Sequence, residues 1–214
     1  MVRTVGPAGP FHAHRPDDDP PPSIWVHAVD QPALVLGSGQ SMDVVDAAAA
    51  TAEGVEVVRR RSGGGAVLLQ PEAVLWVDVV LPRGHPLWDD DVAVASHWLG
   101  AAWARALAGV GVAGEVHRGP LVRGPWSDRV CFAGLGPGEV TVEGRKVVGI
   151  SQRRTRSWAR FQCAALTIWD PVAIVRLLAL DDETRAAAAT ALSEVAVGTG
   201  VAPVELEVAL LATI

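Results

Sequence analysis

The segment Val57-Val58-Arg59-Arg60-Arg61-Ser62-Gly63-Gly64-Gly65-Ala66-Val67 constrains the fold of this chain more than any other stretch. A β-branched run ends in three arginines, and a serine and three glycines follow before apolar residues resume. Successive glycines let a backbone turn sharply and aim several N–H groups at one point, with no side chain to block a ligand. The arginines add donors that suit phosphate oxygens. Two readings stand side by side. The segment is either a loop between two strands that cradles an anion, or a glycine hairpin with a solvated basic flank.

The known nucleotide loops do not fit. The lysine and hydroxyl residue that close G-x-x-x-x-G-K-[ST] are missing, and Gly65 leads into Ala-Val-Leu-Leu rather than a polar helix start. The dinucleotide pattern G-x-G-x-x-G fails too. With 214 residues, half apolar and a fifth charged, the chain reads as one globular domain. A formal charge of −6 argues against a general nucleic-acid binder. Arginines nevertheless cluster at 59–61 and at Arg153, Arg154, Arg156 and Arg160, which points to a specific anionic ligand or an acidic partner. Two cysteines, Cys131 and Cys163, imply no disulfide framework. No apolar run is long enough for a membrane span, and the first residues lack the apolar core of a signal peptide. A cytoplasmic protein is the expectation, with neither membrane nor nucleic acid as a partner.

Residues 1–22, rich in Pro and Asp, read as an irregular arm from which Phe11 could tuck into the body. Strands are expected at 24–29, 33–36, 55–58, 66–69 and 74–81, and again at 112–117, 129–132, 139–142, 146–150 and 160–167. Ser41 caps an expected helix over 42–53, and a long helix starts near Asp89–Asp91 and ends near Gly109. Trp98 and Trp103 keep the apolar spacing of that helix and belong to a core rather than a ligand site. Helices near 171, 182–197 and 203–212 form the tail. Strands dominate to about residue 168 and helices follow, which is an α+β domain with a mixed or antiparallel sheet.

The glycine segment resembles the R-R-x-S-G-G-G-A-V signature of the lipoate-protein ligase and octanoyltransferase family, related to biotin protein ligases. Gly144-Arg-Lys-Val-Val-Gly-Ile-Ser-Gln-Arg-Arg154 resembles the family's G-[KR]-K-[IV]-x-G-x-[AS]-Q-R motif, in the expected order along the chain. Trp25 through Gln40 is similar to the family's opening strands. The resemblance implies a biotin/lipoate ligase-like catalytic domain over 23–214, its mixed, mostly antiparallel sheet flanked by helices, with no separate C-terminal accessory domain.

In such ligases lipoate reacts with ATP and Mg²⁺ to give lipoyl-adenylate, and an acceptor-domain lysine then takes the acyl group. Carried onto this chain, Arg60, Ser62, Gly63, Gly64, Gly65 and Ala66 would cradle the adenylate. Lys146 would stabilise charge developing on the acyl oxygen. Asp128 could orient Lys146 or bind a metal, or it is a turn residue. Gln152 and the arginines after it could meet the acidic face of a lipoyl acceptor domain, from a 2-oxoacid dehydrogenase complex or a glycine cleavage H-type protein. An acyl carrier protein or a separate accessory chain could be a further partner.

Other members of the family use no ATP and carry octanoate as a thioester on a cysteine. Cys131-Phe132 stands where one branch has its C-F pair, so Cys131 is either that nucleophile or a small core residue. ATP-dependent ligation is the first expectation, thioester transfer through Cys131 the second, and a non-catalytic acyl- or adenylate-binding protein the third. The chain departs from the family pattern at Leu69-Gln70, where His-Asp is usual, and at Gln162-Cys163, where His-Gly is usual. In the family those histidines help shape the acyl and adenylate pockets, so the resemblance implies a pocket altered at these positions.

Overall fold

Val74–Pro82 is apolar at almost every position, the composition of a strand covered on both faces. In the computed structural model, which describes residues 1–214, it lies inside a seven-stranded sheet. The order is β1 (Val2–Gly6), β2 (Ser23–Val29), β6 (Val74–Pro82), β10 (Trp158–Leu166), β9 (Arg145–Arg154), β8 (Val140–Val142) and β7 (Glu115–Val116). Only β1 and β2 run parallel; every other pair is antiparallel. A second sheet of three strands, β4 (Glu56–Arg59), β3 (Ala33–Leu36) and β5 (Val67–Leu69), carries the glycine loop between its outer two strands. The expected α+β class with a mixed, mostly antiparallel sheet is what forms.

Two apolar layers fix these sheets. On the large sheet, α3 (His97–Gly109) sets Leu99, Trp103 and Leu107 against Val77, Val79 and Phe161, with α6 (Pro203–Leu211) adding Leu206. Trp103 is fully buried, so its truncation to alanine would cost about 3–5 kcal/mol. Around the small sheet, Leu34 and Leu36 of β3 meet Ile174 of α4 (Pro171–Arg176), Leu178, and Leu192 of α5 (Asp182–Ser193). Asp170 and Asp181 cap these last two helices by accepting the N–H groups of Ala173 and Thr184.

The structure corrects several local expectations. Residues 1–22 are not an irregular arm throughout: β1 extends the large sheet, and α1 (Ala8–Ala13) follows it. Phe11 does tuck in, stacking on His27 with ring centroids 4.8 Å apart. The helix expected over 42–53 divides into a 3₁₀ turn at Met42–Val44 and α2 (Ala47–Ala52), because Asp46 caps a new start by accepting the N–H of Ala49. The strand expected at 112–117 shortens to β7. The strand expected at 129–132 is a single bridge from Val130 to Ala66, and the chain then winds into a 3₁₀ turn, Cys131–Ala133. No helix is long and apolar enough to cross a membrane.

Candidate active site

The glycine loop owes its shape to Arg60. That side chain is buried, and it donates to the carbonyl oxygens of Val35 (3.1 Å), Gly63 (2.7 Å) and Gly65 (2.8 Å). The Ser62 carbonyl accepts the N–H of Ser38 at 2.9 Å. Because a trans peptide holds C=O and N–H on opposite sides, anchoring these carbonyls turns neighbouring N–H groups the other way. The N–H groups of Gly63, Gly64 and Gly65 have no partner within the chain and border an open cleft. Gly64 has φ +94, and a Cβ on Gly65 would lie 2.6 Å from the Val130 carbonyl carbon. Both positions therefore demand glycine. Arg60, expected to help cradle an adenylate, holds the loop from within and lines the neighbouring cavity.

The turn that carries Cys131 is tied to this loop. Cys131 N–H donates to the Ala66 carbonyl (2.9 Å), and Ala66 N–H to that of Arg129 (2.8 Å). Gln40 Nε2 adds bonds to the carbonyls of Asp128 and Arg129. A Cβ on Gly64 would stand 3.7 Å from Cys131 Sγ and 3.0 Å from the Arg60 guanidinium, which puts thiol, loop and cation together. Burial lowers the Arg60 pKa from its usual value, with the charges of Cys131 and Glu139 opposing that shift. Cys163 is different. It is buried in β10, and burial pushes its thiol well above the usual range, which keeps it unreactive.

Lys146 leads from the β8–β9 turn into the interior. Its side chain is 3% exposed, and Nζ lies 2.7 Å from Glu139 Oε2 and 3.0 Å from the carbonyl oxygens of Cys131 and Gly134. The ammonium also stands 5.0 Å above the Phe132 ring. Glu139 accepts in addition from the N–H groups of Gly136 and Ile150. Sequence reasoning missed Glu139. Asp128, read from the sequence as orienting Lys146, binding a metal or standing in a turn, borders the cleft with its carboxylate exposed and paired with Arg123 at 2.7 Å.

Two cavities meet at Cys131, Ile150 and Ser151. One is an open polar cleft of about 560 Å³ bordered by the glycine loop, Gln40, Asp128, Glu139, Lys146 and Gln152. The other is a thin slot of about 40 Å³ walled mainly by apolar side chains, among them Val35, Val67, Leu69, Trp76 and Phe132. Gly149 leaves room for it: a Cβ there would stand 3.3 Å from Lys146 Cε and 3.5 Å from the Phe132 ring. Ser62 is buried beside the slot and bonds Ser151 Oγ at 3.0 Å and Gln162 Oε1 at 3.2 Å.

The structure thus brings Arg60, Ser62, Gly63–Gly65, Cys131, Lys146 and Gln152 to one place. Ala66 lies fully buried behind the loop. Gln152 donates to the Val92 carbonyl at 2.8 Å from the edge of the cleft. Of the arginines beyond it, Arg154 lies over the Trp88 ring and Arg153 over that of Trp158. Leu69, Gln162 and Cys163, three of the departures from the family pattern, all line the slot, whereas Gln70 does not.

A fold of this kind, with a glycine loop and a buried lysine on the strand beside it, is that of a lipoyl-ligase catalytic domain. The lipoyl protein ligase A/B catalytic domain profile matches residues 11–199, and the chain belongs to that family. Among curated relatives, the octanoyltransferase LipM of Moorella thermoacetica is 32% identical over 136 residues, 63% of this chain and 49% of its own. LipM of Kyrpidia tusciae is 30% identical over 163 residues, 74% of this chain and 59% of its own. The chain spans about half to three-fifths of the length of these relatives. A bi-partite lipoate protein ligase from Thermoplasma acidophilum superposes with a TM-score of 0.77 at 16% identity, covering all of this chain and 81% of that one. A lipoate-protein ligase A bound with ATP gives 0.71 at 16% identity, over 99% and 82%. At such identities the likeness is one of fold.

Proposed function

We propose that this chain is an acyltransferase that moves a medium-chain, octanoyl-type group to a protein lysine through a thioester on Cys131. The observation that carries this reading is the position of Cys131 where the slot meets the cleft. An octanoyl tail is larger than the slot's present volume of about 40 Å³, so its apolar walls part to seat the chain; the carbonyl carbon then meets the thiol, while the open cleft admits donor and acceptor. The names of the LipM relatives agree with it.

In the first step the Cys131 thiolate attacks the carbonyl carbon of a donor thioester. A new C–S bond forms, the donor's C–S bond breaks, and the donor leaves as a thiolate that takes a proton from solvent. In the second, an acceptor lysine amine attacks the Cys131 thioester; an amide forms, the amine loses a proton to solvent, and the thiolate returns. Negative charge gathers on the same carbonyl oxygen in both steps. The unpaired N–H groups of Gly63–Gly65 and the Lys146 ammonium border the place where it forms. Neither step consumes ATP.

Adenylate formation from lipoate, ATP and Mg²⁺ is the competing chemistry. The cleft has the loop N–H groups to meet a phosphate, and ligands of that kind belong to structural neighbours. Here, however, Arg60 is committed to three carbonyls and Asp128 to Arg123. An acidic acceptor such as a lipoyl domain suits the neighbouring arginines Arg15, Arg61 and Arg153; burial lowers the Arg153 pKa, and the charges of Arg61 and Arg15 push it down further.

The test is intact mass spectrometry of an apo lipoyl domain in two reactions. One holds octanoyl-acyl carrier protein without ATP, and the other lipoate, ATP and Mg²⁺. Modification in the first, with an octanoyl adduct on Cys131, supports thioester transfer. Modification only in the second establishes ligation and removes Cys131 from the chemistry.

A further inference from the structure

The slot is not uniformly apolar. His12, which α1 contributes, lines the slot and not the cleft, unlike Cys131, Ile150 and Ser151, which line both. Its ring stacks on Trp76 with centroids 4.3 Å apart, and Nδ1 stands 3.3 Å from Gln162 Nε2. Gln162 Oε1 accepts from Ser62, so Nε2 is the donor toward His12 and Nδ1 the acceptor. A neutral imidazole that accepts at Nδ1 carries its proton on Nε2. The imidazole is neutral because burial lowers its pKa to about 3. That Nε2–H is buried and has no partner, and neither has Arg60 Nε in the same lining. Buried polar groups are ordinarily paired, so two orphaned donors in one slot call for an acceptor that the slot receives.

Resting on the acyl-transfer reading above, we infer that the preferred acyl group carries an oxygen acceptor toward the far end of its chain, bonded by His12. A plain octanoyl tail would leave both donors dry and unpaired, whereas a terminal hydroxyl or keto oxygen would satisfy His12. Sites built to bond a substrate hydroxyl discriminate strongly against the analogue that lacks it, because their own polar groups are then stranded. Leu69 and Gln162 make the same point from the walls. Leu69 removes polarity from one side, and Gln162 sets the His12 tautomer on the other.

The experiment compares octanoyl and ω-hydroxyoctanoyl N-acetylcysteamine thioesters as donors to the full chain, reading Cys131 acylation by intact mass. Binding of the two free acids is measured in parallel by titration calorimetry. The hydroxylated chain is expected to acylate at least tenfold faster and to bind at least tenfold tighter. His12→Phe, which keeps the stack on Trp76, should abolish or reverse both preferences. Equal rates and affinities for the two chains, or a preference for octanoyl in the wild-type protein, overturn the inference. Failure of both donors to label Cys131 would instead sink the thioester reading, while the binding comparison still decides whether the slot prefers oxygen.

Discussion

Glu139 Oε2 lies 2.7 Å from Lys146 Nζ, and two backbone carbonyls from the Cys131 turn take the remaining N–H bonds of that ammonium. An ammonium has three donors, so in this arrangement all are occupied by the chain itself. Lys146 is held aimed and close to the nucleophile. It reaches an acyl oxygen only when one of those bonds is shared or released, and the two carbonyl bonds belong to the turn that carries Cys131. Glu139 is thus a positioning residue.

Removing either partner strands the other charge in a buried site. Glu139→Ala or Lys146→Ala should each cost about 3–5 kcal/mol in denaturant unfolding. Glu139→Gln combined with Lys146→Met leaves no buried charge and should recover most of that stability, while acyl transfer stays lost. A double variant no more stable than the single ones would show that the pair is not energetically coupled.

Cys131 contributes to the fold through its backbone, since its N–H bonds the Ala66 carbonyl while its side chain meets both cavities. Cys131→Ala should therefore lie within about 1 kcal/mol of wild type in stability. Acyl-enzyme formation should vanish. Retention of full acceptor modification in this variant, in the reaction without ATP, would contradict the thioester route.

His12 makes stability depend on pH in an unusual window. Burial is the main reason its pKa falls from 6.5 to about 3; Asp78 opposes the shift, and Arg160, Arg60 and His27 add to it. The unfolded chain takes up this proton below about pH 6.5, and the folded chain only near pH 3. The contribution is whole above the upper value and is lost as pH falls, at about 1.4 kcal/mol per unit. Urea melts between pH 6.5 and 4 should show that slope in the wild-type protein and a shallower one in His12→Phe.

Gly65 faces the backbone of Val130 too closely for a side chain. Gly65→Ala should destabilise by about 1–3 kcal/mol through forced backbone movement. It should also slow Cys131 acylation more than it changes donor binding. An unaltered rate would mean that the loop and the turn are less tightly joined than their hydrogen bonds imply.

Residues whose role depends on local chemistry were legible in the sequence. The three glycines, Lys146 beyond a tight turn and the Cys-Phe pair could all be singled out because their types and spacing are unusual. Glu139 could not. It reaches Lys146 across the β8–β9 pairing, whose register shifts between Val140 and Thr141, so strand alternation does not predict the contact. His12 was hidden for another reason. The Pro and Asp content of residues 1–22 obscures the valines of β1, whose pairing with β2 is parallel and therefore nonlocal. Of the roles open to Asp128 in the sequence, contact with Lys146 is not formed: the side chain turns outward to Arg123 at the border of the cleft.

The bridge between Ala66 and Val130 joins two stretches far apart in sequence into one mechanical part. Substitutions on one side are therefore judged by their fit to the other, and the two should drift together among descendants of this gene. A graft of another member's glycine loop that left residues 128–134 behind would separate the cradle from the group it serves. The smallest transplantable unit of this site is both segments together.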